Sequence, residues 1–127
     1  MAKQTLQLIS EQFTIHSLPP THSVPNTVLA SEIFFIGKTH DELSIVCSSD
    51  IHLDSEEDEP GWRALEVLGP LGFSLTGILS NISGVLAGAD VSIFAISTFD
   101  TDYILVKQER VDLAIQVLKK DGYKVIT

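Results

Sequence analysis

A single cysteine, Cys47, stands in the chain, so no disulfide can close within it. Basic side chains are also scarce: eight Lys and Arg face seventeen Asp and Glu, a net charge of -9. That balance excludes a nucleic-acid binder, because phosphate contacts need a basic footprint. It disfavours an anionic membrane surface for the same reason. No apolar run approaches the roughly 18 residues of a membrane-spanning helix. The opening residues Met1–Leu6 lack the apolar core of a secretory signal. These scarcities together point to a cytoplasmic protein. None of His16, His22, His40 and His52 has a partner at zinc-site spacing, and no metal or cofactor is expected. Cys47 sits in an apolar strand and reads as a buried small hydrophobe. As a nucleophile it would need a histidine base adjacent in space.

What is present is a folded core. The 127 residues are 44% hydrophobic, which separates the chain from disordered sequences. A chain of this size buries roughly two-thirds of its unfolded surface. Leu75, Ile78, Leu79, Ile82, Leu86 and Ala89 recur at the spacing of one helix face, so a helix is expected there. Ser74 or Thr76 is its expected cap, and Gly88 its stop, with Asp90 in the following turn. Val91–Ile96 and Tyr103–Val106 read as strands, rich in β-branched and aromatic residues, joined by the polar turn Ser97–Asp102. Val111, Ala114, Ile115 and Leu118 mark a last helix, stopped at Gly122 and followed by a strand over Tyr123–Ile126.

The first half has the same order with less helix. Thr5–Leu18 holds two strand-like runs, or one strand bent around Ser10–Gln12. Three prolines in residues 19–27 leave room for at most a short helix capped by Asn26. Ile33–Ile36 and Glu42–Cys47 form a hairpin around Lys38–Asp41. Asp50–Glu59 carries six acidic residues in ten, and 50–60 reads as a solvated linker. Trp62–Leu68 is a strand. At an offset of 60, Leu8, Phe13, Ile33, Phe34, Ile36 and Val46 recur as Leu68, Phe73, Ile93, Phe94, Ile96 and Val106. The expected fold is therefore α+β, two ferredoxin-like units with antiparallel sheets. The first, 1–60, is abbreviated; the second, 61–127, runs β-α-β-β-α-β. Val91–Ile96 is apolar on both faces. Helices cover one; the other is expected to meet the second unit or another chain, which points to a homodimer.

The residues of the second unit resemble an ACT domain, a small regulatory module that binds amino acids. Gly72-Phe-Ser-Leu-Thr-Gly-Ile78 precedes its first helix, and Ile96-Ser-Thr-Phe-Asp-Thr-Asp-Tyr-Ile-Leu-Val106 follows it. The Ser-Thr pair, aromatic residue, Thr-Asp pair, aromatic residue and Ile-Leu-Val resemble the subgroup found in the CASTOR arginine sensors and small bacterial tandem-ACT relatives. Phe34–Val46 is similar to the equivalent hairpin of a preceding unit. The loop departs from the Pro-Gly pair that many ACT loops carry before the helix. The resemblance implies a ligand between ACT units, contacted by the loop and the helix's first turns. By position that implicates Phe73, Ser74, Leu75, Thr76, Gly77, Ile78, Asn81 and Ile82.

The chemistry of such a site is coherent. Backbone N–H groups of Thr76, Gly77 and Ile78 at a helix start suit a carboxylate. Gly72 and Gly77 admit close backbone approach. Ser74 and Thr76 add hydroxyls. The turn Ser97, Thr98, Asp100, Thr101 and Asp102 offers carboxylates for an ammonium or a basic side chain, provided the fold brings a neighbouring unit's turn to the loop. Ser74 and Thr76 read equally as caps, and Asp100 and Thr101 as ordinary turn residues. Three classes follow: an amino-acid-sensing ACT protein that signals by changed packing to a protein partner; a dimerisation or docking module; and a small enzyme on a ferredoxin-like frame. The last is disfavoured by the lack of an acid, base and nucleophile set.

Overall fold

A computed structural model describes residues 3–68 and 77–127. The elements in order are β1 (Thr5–Leu18), α1 (Asn26–Leu29), β2 (Phe35–Lys38), β3 (Leu43–Ser48), β4 (Glu57–Val67), α2 (Ile78–Gly88), β5 (Ile93–Ser97), β6 (Asp102–Lys107), a 3-10 turn (Gln108–Arg110), α3 (Val111–Lys120) and β7 (Lys124–Ile126). The chain divides into two compact units, one of Glu11–Trp62 and one in which residues through Ser10 join Arg63–Thr127. This differs from a division at 60/61. The single long strand β1 gives its first residues to the C-terminal unit, because β7 needs them as a partner.

In the C-terminal unit the strand neighbours run β7-β1-β4-β6-β5. A ferredoxin-like β-α-β-β-α-β unit would set β7 beside β4. Here the start of β1 lies between them and pairs with β7 in parallel, Thr5 opposite Lys124 and Leu6 opposite Val125. β5 and β6 form the expected antiparallel hairpin, from Ile93 opposite Val106 to Ser97 opposite Asp102. The helices cover one sheet face. Ile82 and Leu86 of α2 and Val111, Ala114 and Leu118 of α3 close over Leu6, Leu65, Val67, Ile104 and Val106, with Ile78, Leu79 and Ala89 packed against them. The helical periodicity therefore marked the buried stripe. On the opposite face of β5, Phe94 and Ile96 are half-buried.

The ends of α2 differ from expectation in one respect. Gly77 stands at the N-cap, in the left-handed region at φ 79°, and Ser74 and Thr76, the expected caps, lie outside the described residues. At the other end Gly88 is the last helical residue, and Asp90 turns the chain at φ 61°. The Val91 amide closes the helix by donating to the Leu86 carbonyl at 2.9 Å. Arg110 Nη2 donates to the carbonyls of Ala89 (3.3 Å) and Asp90 (3.1 Å), placing a cation where the helix presents its unpaired carbonyls.

In the N-terminal unit the neighbours run β2-β3-β1-β4, with Phe13–Leu18 antiparallel to Leu43–Ser48. The helical content is a single short turn, α1, with Pro25 rather than Asn26 at its N-cap. β2 starts two residues later than the offset of 60 predicts. Val46 faces Phe35, whereas its counterpart Val106 faces Ile93. A shift of two leaves each side chain on its original face, which is how both hairpins keep the same apolar pattern. The acidic stretch is not a free linker. Leu53 is buried with Leu18, Val28, Leu43, Ile45 and Cys47, and Ile51 packs against them. Glu57–Pro60 are already strand.

Candidate ligand site

β4 carries the chain to one end of the C-terminal sheet, where several segments are tied together. The Leu68 amide donates to the Thr5 carbonyl at 2.8 Å, fixing the start of β1 beside the end of β4. The Thr101 hydroxyl donates to the Val67 carbonyl, fixing the β5–β6 turn at the same point. Gly72, Phe73, Ser74, Leu75 and Thr76 lie outside the described residues. Gly77 opens the described part of α2. A Cβ built on it would meet nothing within 4 Å among the described residues, and its positive φ is what favours glycine. The helix's own pattern begins with the Asn81 amide donating to the Gly77 carbonyl at 2.9 Å. The N–H groups of Ile78, Leu79 and Ser80 therefore have no acceptor within α2.

Asn81 is exposed and engaged. Its Nδ2 donates to the Tyr123 hydroxyl and to Asp121 Oδ2 at 3.2 Å. Lys3 Nζ meets the same Asp121 Oδ2 at 2.6 Å and lies 5.1 Å from the centre of the Tyr123 ring. The hydrogen bond from Lys3, then that from Asn81, holds the Asp121 carboxyl below its ordinary value. The same bond, donated by Lys3 to Asp121, holds Lys3 above its ordinary value. Ile82 points the other way and is fully buried in the core. Of the residues placed by position on α2, Gly77 and Asn81 are exposed, Ile78 is half-buried and Ile82 is covered.

The β5–β6 turn also holds itself through Thr98 and Thr101. The Thr98 amide (2.8 Å) and Thr98 Oγ1 (3.0 Å) both donate to the Thr101 carbonyl, and the Thr101 amide returns a bond to Thr98 Oγ1 at 3.2 Å. The Thr98 hydroxyl is thus occupied within the turn, and the Thr101 hydroxyl in tying it to Val67. Ser97 and Asp100 are exposed and Asp102 is half-buried. Two residues missed by sequence reading join them. Tyr103 donates its hydroxyl to Glu66 Oε2 at 3.4 Å. Burial, then the charges of Glu66 and Asp100, push that hydroxyl above its ordinary value. The only available signal was a charged residue inside the apolar run Ala64–Leu68. The cluster of Lys3, Asp121 and Tyr123 had none, since its members lie at opposite ends of the chain. This end of the unit carries the carboxylates of Asp100 and Asp102 on the turn that Thr101 ties to Val67, while Glu66, between the core residues Leu65 and Val67, lies on the sheet face away from α2.

A family model described as an ACT domain matches residues 57–120, and a second, describing an N-terminal domain, matches 11–54. The chain is 36% identical over 124 residues to the Bos taurus protein named Cytosolic arginine sensor for mTORC1 subunit 1, and 35% over 123 residues to its Homo sapiens counterpart. Each match takes in 89% of this chain and 37% of the relative, so the chain spans little more than a third of these relatives' length. Among solved structures it is similar to an Agobacterium tumefaciens protein, with TM-score 0.90, 29% identity and coverage of 99% of this chain and 94% of that one. The regulatory subunit of aspartate kinase from Thermus thermophilus shares the fold at TM-score 0.66 and 11% identity, covering 94% of this chain and 98% of its own.

Proposed function

Since this chain belongs to the ACT domain family, we propose that it is a regulatory amino-acid-binding protein whose ligand sits where α2 begins in the C-terminal unit. The observation that carries this is the junction at Val67. One hydrogen bond there seats the acidic β5–β6 turn at the root of the segment that leads into α2. The ligand's carboxylate takes the amides of α2's first turn, at the positive end of the helix dipole. Its ammonium, or a basic side chain, takes Asp100 or Asp102. The relatives' name, arginine sensor, and the surplus of carboxylates at this end favour a basic amino acid. A second copy of the chain closes the site. Ligand binding favours one packing of the ACT units over another, and a protein partner in the cytoplasm reads the difference. The role is regulatory, not catalytic.

The competing reading is a pure dimerisation module. Phe99, 83% exposed at the tip of the turn, is the observation that favours it. Reversing charge with Asp100→Lys and Asp102→Lys separates the two. Calorimetry with arginine should show affinity reduced by more than about tenfold, a loss of roughly 1.4 kcal/mol, while self-association measured by sedimentation persists. Undiminished arginine affinity in the double variant would rule out the turn as the cation's partner.

A further inference from the structure

The N-terminal unit holds a buried histidine that the amino-acid site does not use. His16 lies on β1 and is 3% exposed. Side chains alternate along a strand, so Thr14, His16 and Leu18 share one face. Their partners on β3 are Cys47, Ile45 and Leu43, which makes this the face of the buried cluster. An ordinary ferredoxin-like unit covers such a face with a second helix. Here the segment from Ser49 to Glu56 does so. Leu53 and Ile51 insert from it into the cluster. Ser49 ties it to β1 twice, through Thr14 Oγ1 at 2.8 Å and by its amide to the Gln12 carbonyl at 2.9 Å. Ser55 Oγ lies 3.0 Å from His16 Nδ1, and the Glu56 amide donates to the Ser17 carbonyl at 3.0 Å.

His16 Nε2 is buried with no hydrogen-bond partner among the described residues. A neutral imidazole can leave that atom bare at modest cost. An imidazolium cannot, because it would carry a buried N–H and a charge with no acceptor. We infer that Ser49–Glu56 is an acid-released cover: when His16 takes up a proton, the segment lifts from β1 and exposes the cluster around Leu18, Ile45 and Cys47.

The surrounding charges do not remove the effect. Asp58 favours the imidazolium and His52 opposes it, but burial is the largest influence and holds His16 below its ordinary value. Asp54, Glu56 and Glu57 are exposed carboxylates on or next to the covering segment. Cys47, on β3, is pushed up by burial and stays a neutral thiol. The closed form thus binds the proton less readily than the open form. Its full stability is present above the ordinary histidine value of about 6.5 and is lost as pH falls below it.

Cys47 is the only thiol in the chain and is fully buried under the cover, which makes it the reporter. Its rate of reaction with dithiodipyridine, divided by the rate of the urea-unfolded chain at the same pH, should rise from pH 7.5 to 5.5, with about tenfold as the limit for one proton taken up on opening. In His16→Gln the rise should vanish. Should that variant fail to fold, the unaltered protein still decides the matter. Amide-exchange protection at Ser49 and Glu56 should fall with the same midpoint as the His16 imidazole titration, while the β5–β6 amides stay protected. A Cys47 rate independent of pH, a rise that survives in His16→Gln, or protection at Ser49 and Glu56 that ignores the imidazole titration would overturn the inference.

Discussion

Truncating Ile82 to alanine is expected to lower the unfolding free energy by about 2–5 kcal/mol, the range for a large core aliphatic side chain cut back to Cβ. Ile82 is fully buried on α2, in one cluster with Leu86, Leu6, Leu65, Val67, Ile104 and Val106. Two effects add: the lost transfer of the removed methyl and methylene groups, and the cavity left between helix and sheet. Urea denaturation checks it. The midpoint should fall with little change in slope, since the folded state keeps its surface. The result also assigns the residue. Position on the family pattern puts Ile82 among ligand contacts, whereas burial makes it the support beneath them. A variant of ordinary stability with lost ligand affinity would restore the contact role.

Gly77→Val should show the second large effect, a stability loss of at least about 1–2 kcal/mol, the cost of holding an L-residue in the left-handed region. The built Cβ meets nothing within 4 Å among the described residues, so the expected cost is that of the backbone conformation. That distinction gives an order: asparagine, which visits this region more readily, should be tolerated best, alanine less, and β-branched valine least. If the start of α2 is where a ligand's carboxylate docks, arginine affinity should fall in the same order as stability. Equal stability for all three substitutions would mean that the chain enters α2 by another conformation.

Both effects turn on distinctions that local sequence carries unevenly. The period of α2 and α3 was legible because a 3.6-residue stripe has to match the sheet it covers. Val91–Ile96 and Tyr103–Val106 were legible because β-branched and aromatic runs flank a polar turn. The sharing of β1 was not. Its pairing with β7 joins Thr5 to Lys124, and nothing near either residue announces the other. The acidic stretch misled because six charges outweighed two apolar anchors: Ile51 and Leu53 hold the segment down while its carboxylates face water. At the proposed site, Asp100 and Asp102 were put forward from turn chemistry. That Asn81 is already committed to Tyr123 and Asp121 depends on how the end of α3 meets α2, which follows from packing alone.

The central claim is that the C-terminal unit binds a free amino acid. Thermal unfolding against each of the twenty amino acids at millimolar concentration tests it most directly. A ligand at 100 times its dissociation constant stabilises by about 2.7 kcal/mol, a midpoint shift of roughly 3–6 °C for a chain of this size. The account predicts a selective shift with arginine that Asp100→Lys with Asp102→Lys abolishes. A cooperative transition unmoved by any of the twenty would contradict it and leave the dimerisation module as the reading that stands.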